Sequence, residues 1–209
     1  MHGGGMNKAL LVIDVQESFR RLPSWETISN PDIVGAVSRL VDHARLNGDH
    51  VVWVLHGEAG TGGVFDPALG HVRLMEGLKP LDHDILVTKT SHNAFTTTNL
   101  QQILTSMGVR EVVISGIRTE QCCETTARIA SDLGYDVTFV TDATATSPLE
   151  HPDAPKGRSV AEILADPLTL SADEVTTRTE YALAGRFATI ASVDSYTSDD
   201  SRTAAVAPV

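Results

Sequence analysis

Short apolar runs and longer amphipathic stretches alternate along most of this chain. The runs have little polar interruption, which is typical of strands that are buried on both faces of a parallel sheet. Strands are therefore predicted at residues 9–14, 51–55, 84–89, 112–115, 135–140 and 187–191.

The stretches between these runs carry apolar residues at helical spacing. One helix is predicted from Pro31 to a stop at Asn47-Gly48, and others follow residues 96–98 and 119–120. A further helix, from Ser171 through Leu183, opens on the capping-box residues Ser171 and Glu174. Alternating strands and helices predict an α/β fold, a three-layer αβα sandwich with a central, mostly parallel sheet of about six strands.

The 209 residues suit one domain. We place it at residues 7–195, after a flexible leader at 1–6 and before a small, polar tail at 196–209 that we expect to be flexible. The leader lacks the layout of a signal peptide, so a cytoplasmic protein is expected.

The composition and net charge of the chain limit the classes of partner that it is expected to bind. The chain is 42% hydrophobic and has no apolar stretch of the ~20 residues that a membrane-spanning helix needs. A formal net charge of −11 argues against nucleic acid or an anionic membrane as a partner, because both select basic surfaces. The two cysteines, Cys122 and Cys123, are adjacent and are expected to be free thiols, since neighbouring cysteines rarely bridge.

A long segment rich in glycine and proline runs from Gly57 to Pro80. Long loops of compact domains are often functional, and we predict an ordered loop near the substrate. His56 and His71 are candidate metal ligands, but no Asp-x-His or His-x-x-x-His pattern accompanies them, so no metal is expected. Glycine motifs for dinucleotides or for a P-loop are absent from the sequence, and no cofactor is predicted.

Three reactive side chains follow predicted strands: Asp14, Lys89 and Cys122. The carboxyl ends of parallel strands lie along one edge of a sheet, so these residues can converge. A lysine and a helix N-terminus stabilise a thiolate, and a carboxylate can accept the thiol proton and later deliver it to a leaving nitrogen. The residues alone leave plainer alternatives open: a turn or cap for Asp14, an exposed strand end for Lys89, and packing for the cysteines.

Three segments together carry a family resemblance: Val12-Ile13-Asp14-Val15-Gln16, Lys89 followed by Ala94-Phe95, and Gly116-Ile117-Arg118-Thr119-Glu120-Gln121-Cys122. In this order, over residues 7–145, the sequence resembles the isochorismatase-like cysteine hydrolase superfamily. That superfamily includes nicotinamidases and N-carbamoylsarcosine amidases.

The resemblance implies a role for each matched residue. Asp14 would be the general acid/base, Lys89 would orient and support the pair electrostatically, and Cys122 rather than Cys123 would be the nucleophile. It also implies a cis peptide bond between Ile117 and Arg118, and an oxyanion hole formed by the N–H groups of Arg118 and Cys122. Candidate substrate contacts, besides the 57–80 loop, are Gln16, Phe19, His92 and Phe95.

This chain departs from the family pattern in two ways. Nicotinamidases of the family bind zinc through an Asp-x-His and a further His, whereas Leu55-His56-Gly57 stands in that region here, which argues against nicotinamide and zinc. Arg118 is larger than the small residue often found at its position. Its side chain could bind a substrate carboxylate, or it could pair with Glu120 or Glu124.

The leading hypothesis is a metal-independent cysteine hydrolase that cleaves a C–N bond of a small amide, carbamoyl compound or lactam through an acyl-thioester. Isochorismatases proper lack the cysteine, so an isochorismate-like or ester substrate is a weaker alternative. A catalytically silent small-molecule or partner-binding protein on the same fold is another. A redox role for Cys122-Cys123 lacks a Cys-x-x-Cys motif. By resemblance, we expect a homo-oligomer, a dimer or larger.

Overall fold

The apolar runs pair side by side in one sheet. The computed structural model describes residues 8–198, and within them six strands all pair in parallel. These strands are β1 (Lys8–Ile13), β2 (His50–His56), β3 (Ile85–Lys89), β4 (Glu111–Ile117), β5 (Asp136–Ala145) and β6 (Thr189–Ala191). Their order across the sheet is β3-β2-β1-β4-β5-β6, which puts β1 and β4 at the centre.

Helices cover both faces of this sheet. They are α1 (Ile33–Leu46), α2 (Leu100–Ser106), α3 (Glu124–Asp132), α4 (Val160–Ala165), α5 (Ala172–Leu183) and α6 (Val193–Ser198). Buried residues of α1 and α6 join one apolar cluster, and those of α2, α3 and α5 join the other. The predicted three-layer αβα sandwich is confirmed.

Strand β1 shows why its sequence is apolar at every position. Ala9, Leu11 and Ile13 face the cluster beneath α2 and α3, whereas Leu10 and Val12 face the cluster beneath α1. Side chains alternate between the two faces of a strand, and a sheet covered on both faces buries them all. Because β1 is buried on both faces, Asp14, the residue that follows it, also lies in the interior.

Several boundaries differ from the sequence prediction. β5 continues past residue 140 to Ala145, with an irregular register opposite residues 114–116 of β4. The helix after the cysteines, α3, ends at Asp132, and Leu133 beyond it is 38% exposed. The capping box of α5 is confirmed: Ser171 Oγ accepts from Glu174 N at 3.2 Å, and Glu174 Oε2 accepts from Ser171 N at 2.8 Å.

The predicted C-terminal tail needs a correction. Helix α6 extends to Ser198, so residues 196–198 are helical rather than part of a flexible tail that follows a domain ending at 195. The helix forms because its first residue, Val193, is buried and its backbone N–H donates to Asp142 Oδ1 at 2.7 Å. The leader at 1–6 and the rest of the tail lie outside the described residues.

The 57–80 segment packs over the end of β1. Its Met75 is buried and donates its backbone N–H to Val15 O at 3.0 Å, while Arg73 O accepts from Glu17 N at 3.0 Å. The Phe65 ring packs edge-on against Phe19, with centroids 5.1 Å apart. These contacts give the segment a defined course beside the carboxyl edge of the sheet.

No helix within residues 8–198 is long and apolar enough to cross a membrane.

Candidate active site

Asp14 lies directly after β1, with its backbone in the left-handed region at φ 55°. Aspartate tolerates this conformation better than most residues. Its N–H donates to Val54 O of β2 at 2.8 Å, and its O accepts from Gln16 N at 2.8 Å. The turn therefore holds the carboxylate at the carboxyl edge of the sheet, where it is 0% exposed.

Lys89 ends β3 and points into the same interior. Its Nζ lies 2.7 Å from Asp14 Oδ2 and 3.4 Å from Cys122 Sγ, and the side chains of Lys89 and Asp14 are both 0% exposed. The alternative of an exposed strand-end lysine is thereby excluded. Removing either member of such a buried pair would leave an uncompensated charge, so the two side chains depend on each other.

The segment that carries Cys122 begins at Gly116, where β4 comes close to β1. Gly116 has φ 134°, and a Cβ there would lie 1.9 Å from Ile13 O. The Ile117–Arg118 peptide bond that follows is cis, as the resemblance implies. A π-helical turn at Thr119–Cys123 comes next, closed by Cys123 N donating to Arg118 O at 3.1 Å, and leads into α3.

Hydroxyl groups fasten this turn to the end of β5. Thr119 Oγ1 and Thr144 Oγ1 are 2.8 Å apart, and Thr146 Oγ1 donates to Glu120 Oε2 at 2.6 Å. The expectation that Thr119 or Glu120 caps the next helix was wrong, because both side chains bond to β5 and its continuation instead. The π-helical turn separates them from the start of α3 at Glu124.

The two cysteines have different surroundings. Both are free thiols, but Cys122 is 8% exposed, with its Sγ accepting from Lys89 Nζ, whereas Cys123 is 0% exposed and packs in the core. Only Cys122 therefore combines a charged partner with some access to solvent, which supports it over Cys123 as the reactive thiol.

Burial dominates the electrostatics of the site. The pKa of the Cys122 thiol is raised to about 12, mainly by burial and also by the charge of Asp14, while Lys89 opposes the shift. Burial also raises the pKa of Asp14, against the pull of Lys89. Both shifts favour a protonated thiol and a carboxylate of increased basicity, which suits the expectation that a carboxylate accepts the thiol proton.

Sequence reasoning missed His56 as part of this group. It ends β2 opposite Lys89, and its Nδ1 lies 3.4 Å from Lys89 Nζ. The ring's Nε2 lies 3.1 Å from Glu58 Oε1. The available signal was its place at the carboxyl end of a predicted strand, the same position that singled out Asp14 and Lys89.

The sequence of this chain is similar to one known protein family. A family model described as "Isochorismatase domain" matches residues 8–170, more than half of the chain. The chain belongs to the isochorismatase family. It is therefore a hydrolase of that family, with the α/β fold of its members.

Two relatives and one solved structure illustrate the family. Nicotinamidase 3 of Arabidopsis thaliana is 36% identical over 146 residues, covering 66% of this chain and 73% of that protein. Ureidoacrylate amidohydrolase RutB of Rhizobium rhizogenes is 29% identical over 170 residues, covering 65% of this chain and 69% of that protein. A crystal structure of a putative isochorismatase-family hydrolase from Chromobacterium violaceum has a TM-score of 0.80 at 22% identity, covers 94% of this chain and 95% of that one, and shows the shared fold.

The residues predicted to contact substrate in this isochorismatase-family chain are mostly occupied by protein contacts. The Gln16 amide is buried and clamps the His56 backbone, accepting from His56 N at 2.7 Å and donating to His56 O at 3.0 Å. Phe19 packs on Phe65, and Phe95 is buried in the core with its ring stacked on Tyr135 at 6.1 Å. Of the four, only His92 is exposed, and contact with substrate stays a prediction for all four.

The side chain of Arg118 reaches away from its two expected acidic partners. Its Nη2 donates to Ser24 Oγ at 2.8 Å, while Glu124 accepts from Arg128 at 2.7 Å. The alternative in which Arg118 forms an ion pair with Glu120 or Glu124 is not found among the described residues.

Within the described part of the chain, His, Cys, Asp and Glu side chains do not come together in a group of three that could hold a metal ion. His56 instead turns its Nδ1 to Lys89.

Proposed function

We propose that the protein is a cysteine amidohydrolase that cleaves a C–N bond of a small amide, carbamoyl compound or lactam. The observation that carries the proposal is the position of Lys89 Nζ, 2.7 Å from Asp14 Oδ2 and 3.4 Å from Cys122 Sγ, in a buried site. A nucleophile, a proton acceptor and a cation are thereby joined in surroundings of low dielectric constant, where their interactions are strong.

The first half of the reaction forms a thioester. Asp14 takes the proton of the Cys122 thiol as Sγ bonds to the substrate's carbonyl carbon. The tetrahedral intermediate then collapses, the C–N bond breaks, and Asp14 delivers its proton to the leaving nitrogen. The raised pKa of Asp14 suits both steps, because it strengthens the carboxylate as a base and keeps the proton available.

The second half returns the enzyme to its starting state. Asp14 takes a proton from a water molecule as the water oxygen attacks the thioester carbon. The C–S bond breaks, and the thiolate recovers the proton from Asp14. In both halves the Lys89 ammonium group stabilises the negative sulfur by charge.

An oxyanion hole completes the proposal. The N–H groups of Arg118 and Cys122, on the two sides of the π-helical turn, are assigned to the developing oxyanion. The attachments of the turn to β5, through Thr119 and Glu120, support this role because they fix the backbone before the reaction. Preorganised donors stabilise a transition state without a reorganisation cost.

The relatives support the choice of a C–N bond. Nicotinamidase 3 and ureidoacrylate amidohydrolase are both named as hydrolases of amide-type substrates. The present chain shares the family fold with them and has a cysteine beside the buried lysine, as cleavage through an acyl-thioester requires.

The test is turnover of a panel of small amides, ureas, carbamoyl compounds and lactams, followed by ammonia release and by the intact mass of the protein. Cys122→Ala is expected to lower kcat by at least ~10³-fold and to remove the acyl-enzyme mass, because the nucleophile is gone. Cys123→Ala is the matched control, a buried neighbour of the same type, and should keep kcat within about threefold.

Full activity in Cys122→Ala, with loss in Cys123→Ala, would overturn the assignment.

One observation favours a second candidate, a catalytically silent binding protein: Cys122 is only 8% exposed, and burial raises its pKa to about 12, which disfavours the thiolate. That candidate predicts ligand binding without any covalent mass increase on Cys122, for wild type and for every member of the panel.

A further inference from the structure

The ammonium group of Lys89 has three acceptors around it. They are Asp14 Oδ2 at 2.7 Å, Cys122 Sγ at 3.4 Å and His56 Nδ1 at 3.4 Å. An ammonium group has three N–H bonds and no lone pair, and Lys89 is 0% exposed. A buried donor without an acceptor is costly, so each of these contacts helps to fix the direction of the lysine.

The tautomer of His56 follows from its two neighbours. Nδ1 faces a group that can only donate, so it must be the unprotonated nitrogen that accepts. The ring proton is then on Nε2, which faces Glu58 Oε1 at 3.1 Å and can donate to it.

The surroundings of His56 hold the ring in this orientation. The Gln16 amide bonds to both the N and the O of the His56 backbone. The Phe65 ring packs edge-on against the imidazole, with centroids 5.5 Å apart. The link from the imidazole to the other two reactive groups runs through Lys89, whose Nζ lies 2.7 Å from Asp14 Oδ2 and 3.4 Å from Cys122 Sγ.

We propose that His56 is a positioning residue for Lys89 and that the site works only while the imidazole is neutral. The inference rests on the proposed cysteine chemistry and adds a fourth residue to it. His56 would accept the third N–H of the lysine, so that the other two point at Asp14 and Cys122.

Protonation of His56 would remove its hydrogen bond with Lys89. The charged groups around the imidazole are Lys89 from β3, Glu58 from the following loop and Asp14 from the end of β1, with the Cys122 thiol beyond the lysine. A protonated ring cannot accept from Lys89 and puts a second positive charge 3.4 Å from it. That charge would also lower the pKa of Asp14 and weaken it as a base.

Two amide substitutions of His56 test the roles of its two ring nitrogens separately. His56→Asn places an amide oxygen near the position of Nδ1 and can still accept from Lys89. His56→Gln reaches the position of Nε2 and retains only the link to Glu58. With a substrate from the panel, we expect His56→Asn to keep kcat within about fivefold and His56→Gln to lower it about ten- to hundredfold, the effect of losing a hydrogen bond to a charged group.

The alkylation rate of Cys122 tests the same point without a substrate. Iodoacetamide modification, located by peptide mass, should be about tenfold slower at pH 8.5 in His56→Gln than in His56→Asn, because a misplaced lysine stabilises the thiolate less well. His83→Asn, at an exposed histidine far from the site, is the control and should match wild type. Equal rates and equal kcat values in the two His56 variants would overturn the proposal.

The tautomer of His56 gives a readout that a merely structural role would not fix. Nitrogen NMR of wild type should show a neutral ring protonated on Nε2; protonation on Nδ1 would contradict the inference even if a variant failed to fold. Absence of turnover in wild type would instead reject the proposed function, while the alkylation and NMR results still decide the role of His56.

Discussion

Two acids near the carboxyl ends of parallel strands, Asp14 and Asp142, have opposite surroundings. Asp14 is wholly buried after β1, beside Lys89 and Cys122. Asp142, near the end of β5, is exposed; its Oδ1 accepts from Val193 N at 2.7 Å, and its O accepts from Asn30 Nδ2 at 2.8 Å. Similar positions near the end of a strand therefore serve different purposes: Asp14 joins a buried charged group, and Asp142 caps a helix.

The side chains that line the surroundings of Asp142 differ from those around Asp14. A groove of about 670 Å³ lies beside Asp142, and it is lined by Asp173 and Glu180 as well. Among the described residues that line it there is no Lys, Arg or Cys. At the end of β1, Lys89 Nζ lies 2.7 Å from a carboxylate and 3.4 Å from a thiol, and charged and reactive groups buried together in this way are typical of functional sites.

The largest effect on stability is expected where β4 comes close to β1, the contact that positions the Cys122 segment beside Asp14. Gly116→Ala is expected to lower the free energy of unfolding by more than about 4 kcal/mol, because the new Cβ would lie 1.9 Å from Ile13 O at φ 134°. Soluble yield and denaturant unfolding measure the loss. Gly134→Ala is the matched control: it also has a positive φ, but nothing lies within 4 Å of its Cβ position, and a loss of only about 1 kcal/mol is expected. Similar losses in the two variants would show that the close approach of the strands is unimportant.

A second prediction exchanges each acid for its amide. Asp14→Asn should lower kcat/KM about 10²- to 10⁴-fold, because the proton acceptor is lost while the shape is kept. Asp142→Asn retains an oxygen that can accept from Val193 N and should keep kcat/KM within about twofold. Steady-state kinetics on the same substrate decide between them, and a comparable loss in both variants would contradict the distinction drawn between the two strand ends.

The third and smallest effect concerns the thiol itself. Because the pKa of Cys122 is raised to about 12, its alkylation rate should rise about tenfold per pH unit between pH 7 and 10 without a plateau. Asp14 contributes to the raised pKa, so Asp14→Asn should make alkylation about tenfold faster at pH 8 although it slows turnover. Rates of iodoacetamide labelling test this, and a plateau near pH 8 in wild type would show a thiolate that is already stabilised.

Local patterns in the sequence were enough to predict the strands that carry the site. Continuous apolar runs such as Leu10–Ile13 have no exposed face, and that property predicts a covered parallel sheet. Asp14, Lys89 and Cys122 were found because each follows a strand, and the carboxyl ends of parallel strands meet. The cis bond at Ile117–Arg118 was expected from the family resemblance, and the structure has it.

Local sequence patterns could not predict the contacts between segments that are distant in the sequence. The packing of Phe19 on Phe65 and of Phe95 on Tyr135 is an example. His56 resembled a solitary histidine, because its partner Lys89 is 33 residues away and meets it only through the β2–β3 register. Nothing local distinguishes such a residue from a solvated one.

The sequence by itself therefore predicted the layered fold and placed three side chains, Asp14, Lys89 and Cys122, at the carboxyl edge of the sheet, since both depend on periodicity and strand order. Only the tertiary structure determines their pKa shifts and adds His56 as a fourth neighbour. A pKa depends on burial and on charges brought from other strands, and these raise the pKa of Cys122 and of Asp14. The difference between Asp14 and Asp142 has the same origin: one acid is enclosed with a lysine, and the other is left at the surface to cap a helix.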